Sequence, residues 1–129
     1  MAARGRRLRR PCRTGGDVNG FRRGDVVAAD LDPSAGHEQR KRRYLLVVSN
    51  DRYNQLCNLT MTCPITSRDN GYPLHLPVHP ISTSHSIEGF VQTEQLKALD
   101  LKARNAEIIG YVPDDEMKHV IEYVMASLI

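Results

Sequence analysis

The stretch Asp25–Ser49, DVVAADLDPSAGHEQRKRRYLLVVS, sets two apolar runs on either side of a charged loop. Asp25 to Leu31 reads as a strand, closed by Asp32-Pro33 and a turn at Gly36. Tyr44 to Ser49 is almost continuously apolar, the pattern of a strand covered on both faces. The same kind of short run continues downstream. Asp51 to Gln55 suits a single helical turn, and Leu59 to Ile65 (LTMTCPI) alternates as a third strand, with Pro64 at its end or on an edge. A turn at Asp69-Asn70-Gly71 leads into Tyr72 to Val78, where prolines 73, 77 and 80 point to an edge strand. Glu88 to Leu96 and Ala106 to Val112 complete the strands. Met117, Val120, Ile121, Val124, Met125 and Leu128 then recur at three- and four-residue spacing, the stripe of an amphipathic helix. Pro113 and the acids at 114 to 116 suit the positive end of its dipole. The pattern predicts a mainly β fold with a C-terminal helix: five or six short, mostly antiparallel strands in a small barrel or strongly curved sheet, with the helix packed against it.

Composition bounds the function. At 129 residues and 40% hydrophobic, the chain suffices for one domain with a real core, which aliphatic residues must fill because Trp is absent and Phe occurs twice. Residues 1–20 hold almost no apolar side chain and read as a disordered, arginine-rich tail; residues 21–129 read as the folded domain. Residues 1–23 carry eight arginines against Asp17, so residues 24–129 hold 10 basic and 14 acidic groups, a net charge of −4. Bulk charge therefore does not announce a nucleic-acid binder, and only Arg40-Lys41-Arg42-Arg43 forms a dense cationic run. No apolar run approaches the roughly 18–20 residues of a membrane span, and no apolar segment follows the N-terminal arginines as in a secretory signal. Three cysteines without a C-x-x-C pair argue against a disulfide framework or zinc site and fit the cytoplasm. His75 and His79 lie four apart in a strand-like segment, a separation of roughly 13 Å that one ion does not span, so no metal is expected.

The charged loop is the best place for chemistry. His37, Glu38 and Gln39, followed by a cationic cluster at the mouth of a rigid strand, could act on a phosphodiester. Cleaving RNA through its own 2′-hydroxyl requires a proton acceptor, donors that stabilise the phosphorane and an acid for the leaving oxygen. Arg43 can clamp phosphate oxygens with its planar fork, with Arg40 and Arg42 beside it. Glu38 or His37 can serve as base or acid. Thr66 and Ser67, just past a strand end, offer two hydroxyls to a phosphate. If Glu88 to Leu96 is one strand, Gln92, Glu94 and Leu96 share a face.

Taken in order, these pieces resemble the MazF/PemK/Kid family of toxin endoribonucleases. The matching segments are Arg23 to Val27, Leu31 to Gln39 with its G-H-E-Q loop, Arg43 entering an apolar strand that ends in Ser49, Tyr53-Asn54, Pro64 to Ser67, Gly71-Tyr72-Pro73, Glu94-Gln95, Asp100 to Arg104, and the closing helix after Val112-Pro113. They span about residues 22–129. The resemblance implies an SH3-like, PemK-type antiparallel barrel, a homodimer, and RNA lying in grooves near the dimer interface. It implies metal- and cofactor-independent cleavage of single-stranded RNA, mRNA included, at short sequences by 2′-hydroxyl attack, and arrest of translation and growth. It also implies a cognate MazE-like antitoxin whose flexible tail occupies the RNA groove. Carried over by motif, Arg43, Thr66 and Glu38 are the catalytic set. His37, Gln39, Arg40, Arg42, Ser67 and Glu94 fall to RNA binding, Glu94 standing where the family often has aspartate.

Two departures stand out: Tyr44 follows the arginine where the family usually has proline, and Arg40-Lys41-Arg42 fills a stretch that usually holds a glycine. A CcdB-like toxin of the same architecture acting on DNA gyrase, or a silent homologue that binds antitoxin or RNA, are the alternatives to the nuclease.

Overall fold

Strand β1 (Asp25–Asp30) lies inside the sheet with all six residues buried, which explains a sequence with no polar alternation. The computed structural model describes residues 20–30, 42–68 and 71–129. The tail at 1–19, the His37-Glu38-Gln39-Arg40 loop and the first two residues of the Asp69 turn lie outside the described residues. The further elements are β2 (Arg42–Val47), α1 (Asp51–Leu56), β3 (Thr60–Thr66), β4 (His75–Val78), β5 (Gly89–Gln92), β6 (Lys97–Leu99), β7 (Glu107–Tyr111) and α2 (Asp114–Leu128). Every pairing is antiparallel, in the order β4-β5-β3-β2-β1-β7, with β6 on β3 as well. A single bridge between Ile81 and Tyr111 links the chain past β4 to β7, so the sheet curls towards a barrel without a full closing strand pair.

The two faces of the sheet carry two clusters. Val26, Leu46, Val48, Cys63, Ile65, Val91 and Ile109 pack with Met117, Val120 and Val124 of α2. Phe21, Val27, Ala29, Leu45, Val47 and Leu101 form the smaller core on the other face. Consecutive valines and leucines of β1 and β2 thus enter different cores. Each such side chain, fully buried, contributes on the order of 1.5–3 kcal/mol.

Three sequence expectations change. The run Glu88 to Leu96 is not one strand: only Gly89–Gln92 is β5, and Thr93 to Leu96 turn the chain towards β6, the Thr93 hydroxyl donating to Leu74 O at 2.6 Å and Gln95 N to Gln92 O at 3.0 Å. Gln92, Glu94 and Leu96 therefore do not share a strand face, and seven strands replace five or six. Pro64 neither ends β3 nor lies on an edge strand. On that side β3 pairs with β6 up to Thr62 and with β5 from Ile65, and the proline falls in the gap. The helical stripe is only half covered: Met125 and Leu128 stay 47% and 62% exposed.

Candidate active site

The ladder between β2 and β3 pairs Tyr44 with Ile65. Continued by one step, that register sets Arg43 across from Thr66 on the same face, a distance at which directly opposed Cβ atoms stand about 4.5–5.5 Å apart. Both side chains line a cleft of about 940 Å³ where β2 begins and β3 ends, together with Ser67 and Arg68. Such a volume lies at the upper end of the range of about 300–1,000 Å³ typical of ligand sites.

The individual side chains differ in how they are committed. Arg43 is exposed and has no ion-pair partner among the described residues. The Thr66 hydroxyl oxygen accepts from Arg68 N at 3.2 Å, which leaves its own O–H available to donate. Gly89 lets β5 press onto this corner, since a Cβ there would stand 2.6 Å from Thr66 O. Arg42 also lines the cleft, but its guanidinium is engaged internally. Nη1 donates to the buried Asp30 Oδ1 at 2.8 Å, and Nη2 donates to Ala28 O at 2.7 Å and Asn105 O at 3.1 Å. Its geometry is that of a clamp between β1 and the turn before β7.

Glu94 is not brought to this cleft. It sits at the β5–β6 turn with its carboxylate 2.9 Å from Nε2 of buried His75. Burial raises the Glu94 pKa, but hydrogen bonds from His75, the backbone and Gln95 outweigh it and hold the carboxyl below its usual value. His37, Glu38, Gln39 and Arg40 lie outside the described residues.

Sequence reasoning missed His85, Ser86, Glu88 and Glu107, which also line the cleft. Glu88 and Glu107 read only as strand residues, while His85 and Ser86 belong to a segment without hydrophobic periodicity, so no pattern gave it a place. A β-bulge brings it in. The β1–β7 register shifts between Val26 and Val27, leaving Ile109 unpaired, and Ser82 Oγ donates to Ile109 O at 2.5 Å. The same hydroxyl accepts from Ser84 N at 3.3 Å and His85 N at 3.0 Å. Arg68, next after Thr66-Ser67, was missed as well.

Nucleophilic sulfur is not available here. Burial, reinforced by the charge of Glu94, pushes the Cys63 thiol up to about 12. Among the described residues no three His, Cys, Asp or Glu side chains gather as a metal site. His75 and His79 are engaged separately, with Glu94 and Glu116. What the cleft offers is a free guanidinium, hydroxyl donors, carboxylates and an imidazole, a set suited to an anionic, bond-exchanging substrate.

The family described as PemK-like, MazF-like toxin of type II toxin–antitoxin system matches residues 22–128. Endoribonuclease PemK of Escherichia coli is 33% identical over 104 residues, covering 77% of this chain and 75% of that protein. Endoribonuclease toxin ChpB of Escherichia coli K12 is 34% identical over 109 residues, covering 78% and 88%. A chain of the crystal structure of MazE–MazF (Form-II) from Deinococcus radiodurans matches with a TM-score of 0.71 and 32% identity, over 84% of this chain and 95% of that one.

Proposed function

The chain belongs to the PemK-like, MazF-like toxins of type II toxin–antitoxin systems, and from that premise we propose that it cuts single-stranded RNA, mRNA included, by metal-independent attack of a 2′-hydroxyl on the adjacent phosphate. Endoribonuclease activity follows from the family and from relatives about one-third identical; the manner of cutting is the reading offered. In it, Arg43 neutralises charge growing on the phosphorane and Thr66 donates to a non-bridging oxygen. A carboxylate takes the 2′-hydroxyl proton, with Glu38 the candidate. The P–O5′ bond breaks, the 5′-oxygen takes a proton, and a 2′,3′-cyclic phosphate and a 5′-hydroxyl remain. Ser67, His37, Gln39, Arg40, Arg42 and Glu94 contribute to holding RNA, Arg42 while it clamps β1 to the turn before β7 and Glu94 from the β5–β6 turn outside the cleft. The observation that carries this reading is that a guanidinium with no ion-pair partner among the described residues and a hydroxyl with a free donor line one cleft.

A MazE-like antitoxin is the natural inhibitor, its tail competing for the same cleft. A homodimer is part of the same reading. The apolar groove lined by Tyr53, Met61, Leu96, Ile121, Met125 and Leu128 leaves an area that suits a second copy.

The test is incubation of purified protein with a mixed-sequence single-stranded RNA in EDTA, followed by sequencing and end analysis of the products. Discrete cuts with 2′,3′-cyclic phosphate ends are expected. Intact RNA, with DNA gyrase inhibited instead, would replace this reading with the gyrase-poison alternative.

A further inference from the structure

Tyr44 and His85 make a corner of two aromatic rings in the cleft wall. Their centroids are 6.5 Å apart and their planes cross at 89°. Tyr44 follows Arg43 directly and stands between Ala28 of β1 and Ile65 of β3 in the sheet register. Its ring is half-buried against the large core, so one part is anchored while the rest borders the cleft. His85 is exposed, yet its place is set. Its backbone N is held by Ser82 Oγ at 3.0 Å, its Nδ1 lies 2.8 Å from Ser84 Oγ, and Ile87 two residues on is buried. Gly110 permits this approach, because a Cβ there would meet Ile81 O at 2.6 Å. Rings already held in position lose little freedom when they capture a ligand.

We propose that Tyr44 and His85 form a base-stacking subsite, which takes the nucleobase beside the phosphate gripped by Arg43 and Thr66. The inference rests on the nuclease reading and adds to it a determinant of which nucleotide is accepted. Bases in single-stranded RNA are free to leave their neighbours and stack on aromatic side chains. Perpendicular rings favour this doubly: a base lying parallel to one ring turns its edge towards the face of the other, and both are attractive aromatic geometries. The adjacency of Tyr44 to Arg43 ties base and phosphate to consecutive residues of one rigid strand. His85 reaches the same place from a segment distant in sequence.

The experiment measures binding by fluorescence anisotropy. The probe is an RNA oligonucleotide spanning the mapped cut site, made uncuttable by a 2′-deoxy group at the attacking nucleotide. Tyr44→Leu is expected to weaken binding about tenfold to a hundredfold, as loss of one stacking platform does. Tyr44→Phe keeps the ring and stays within about twofold of wild type. His85→Ala weakens binding by about fivefold or more. With an abasic residue at one position flanking the scissile phosphate, wild type falls to the level of the variants and the difference disappears. Should Tyr44→Leu fail to fold, His85→Ala, on an exposed side chain, decides with the same abasic series. Folded variants that bind as wild type does, or losses that persist with every flanking position abasic, overturn the proposal and leave the nuclease reading intact. Wild-type protein that neither binds nor cuts RNA overturns both.

Discussion

Neighbouring arginines at 42 and 43 face opposite demands. Arg42 satisfies a carboxylate that is almost fully buried, Asp30, and two backbone carbonyls, whereas Arg43 is exposed and has no ion-pair partner among the described residues. Arg42→Ala is therefore expected to lower unfolding free energy by about 1–3 kcal/mol, because Asp30 loses a charged donor where water reaches it poorly. Arg43→Ala should change stability by no more than about 0.5 kcal/mol, as for an exposed side chain without internal partners. Urea denaturation of both variants checks the contrast. Gly89→Ala carries a third kind of effect. Its methyl group meets a backbone carbonyl at 2.6 Å, so β5 or Thr66 must shift. A loss of about 1–3 kcal/mol is expected, with a fall in RNA cutting larger than destabilisation alone explains under conditions where the variant stays folded.

Element by element, hydrophobic pattern and turn chemistry carried most of the fold. β1, β2, β7 and α2 were legible because their apolar runs or stripes exceed what a loop tolerates, and the proline-rich segment did become the edge strand β4. The β5–β6 division was not legible, since a threonine hydroxyl that reaches Leu74 leaves no mark in periodicity. The candidate site was legible only in part. Arg43, Thr66 and Ser67 border strand ends that the pattern defines, but His85 depends on a bulge and a serine bridge that act over long sequence distance. Tyr53-Asn54, noticed as a motif, has a structural task. Asn54 is buried, its Nδ2 donates to Ser49 O at 3.0 Å, and its Oδ1 accepts from Ser49 Oγ at 2.5 Å. Ser49 Oγ in turn accepts from Met61 N at 3.1 Å, so one side chain ties α1 to the start of β3. Asn54→Ala strands these groups in the interior and should cost about 1–3 kcal/mol, read as a lower denaturation midpoint with unchanged slope.

For the whole molecule, two histidine–carboxylate pairs pin the edge strand and give it a pH window. The Glu116 hydrogen bond, more than its charge, holds the exposed His79 above the usual 6.5, so this link is fully present below 6.5 and is lost as pH rises through the raised value. Glu94 is held below 4.5, so its contribution is present above 4.5 and is lost as pH falls through the lowered value. Thermal midpoints should therefore be highest between these limits, and Glu116→Gln should flatten the alkaline side only. The central claim is that Arg43 and Thr66 act on one phosphate, and a double-mutant cycle on RNA cleavage in EDTA tests it most directly. Arg43→Ala and Thr66→Ala are each expected to slow cutting by about a hundredfold or more, and the double variant should be scarcely slower than the worse single one, as for groups that act as a unit. Folded single variants that cut at close to the wild-type rate, or losses that simply multiply in the double variant, would contradict the account.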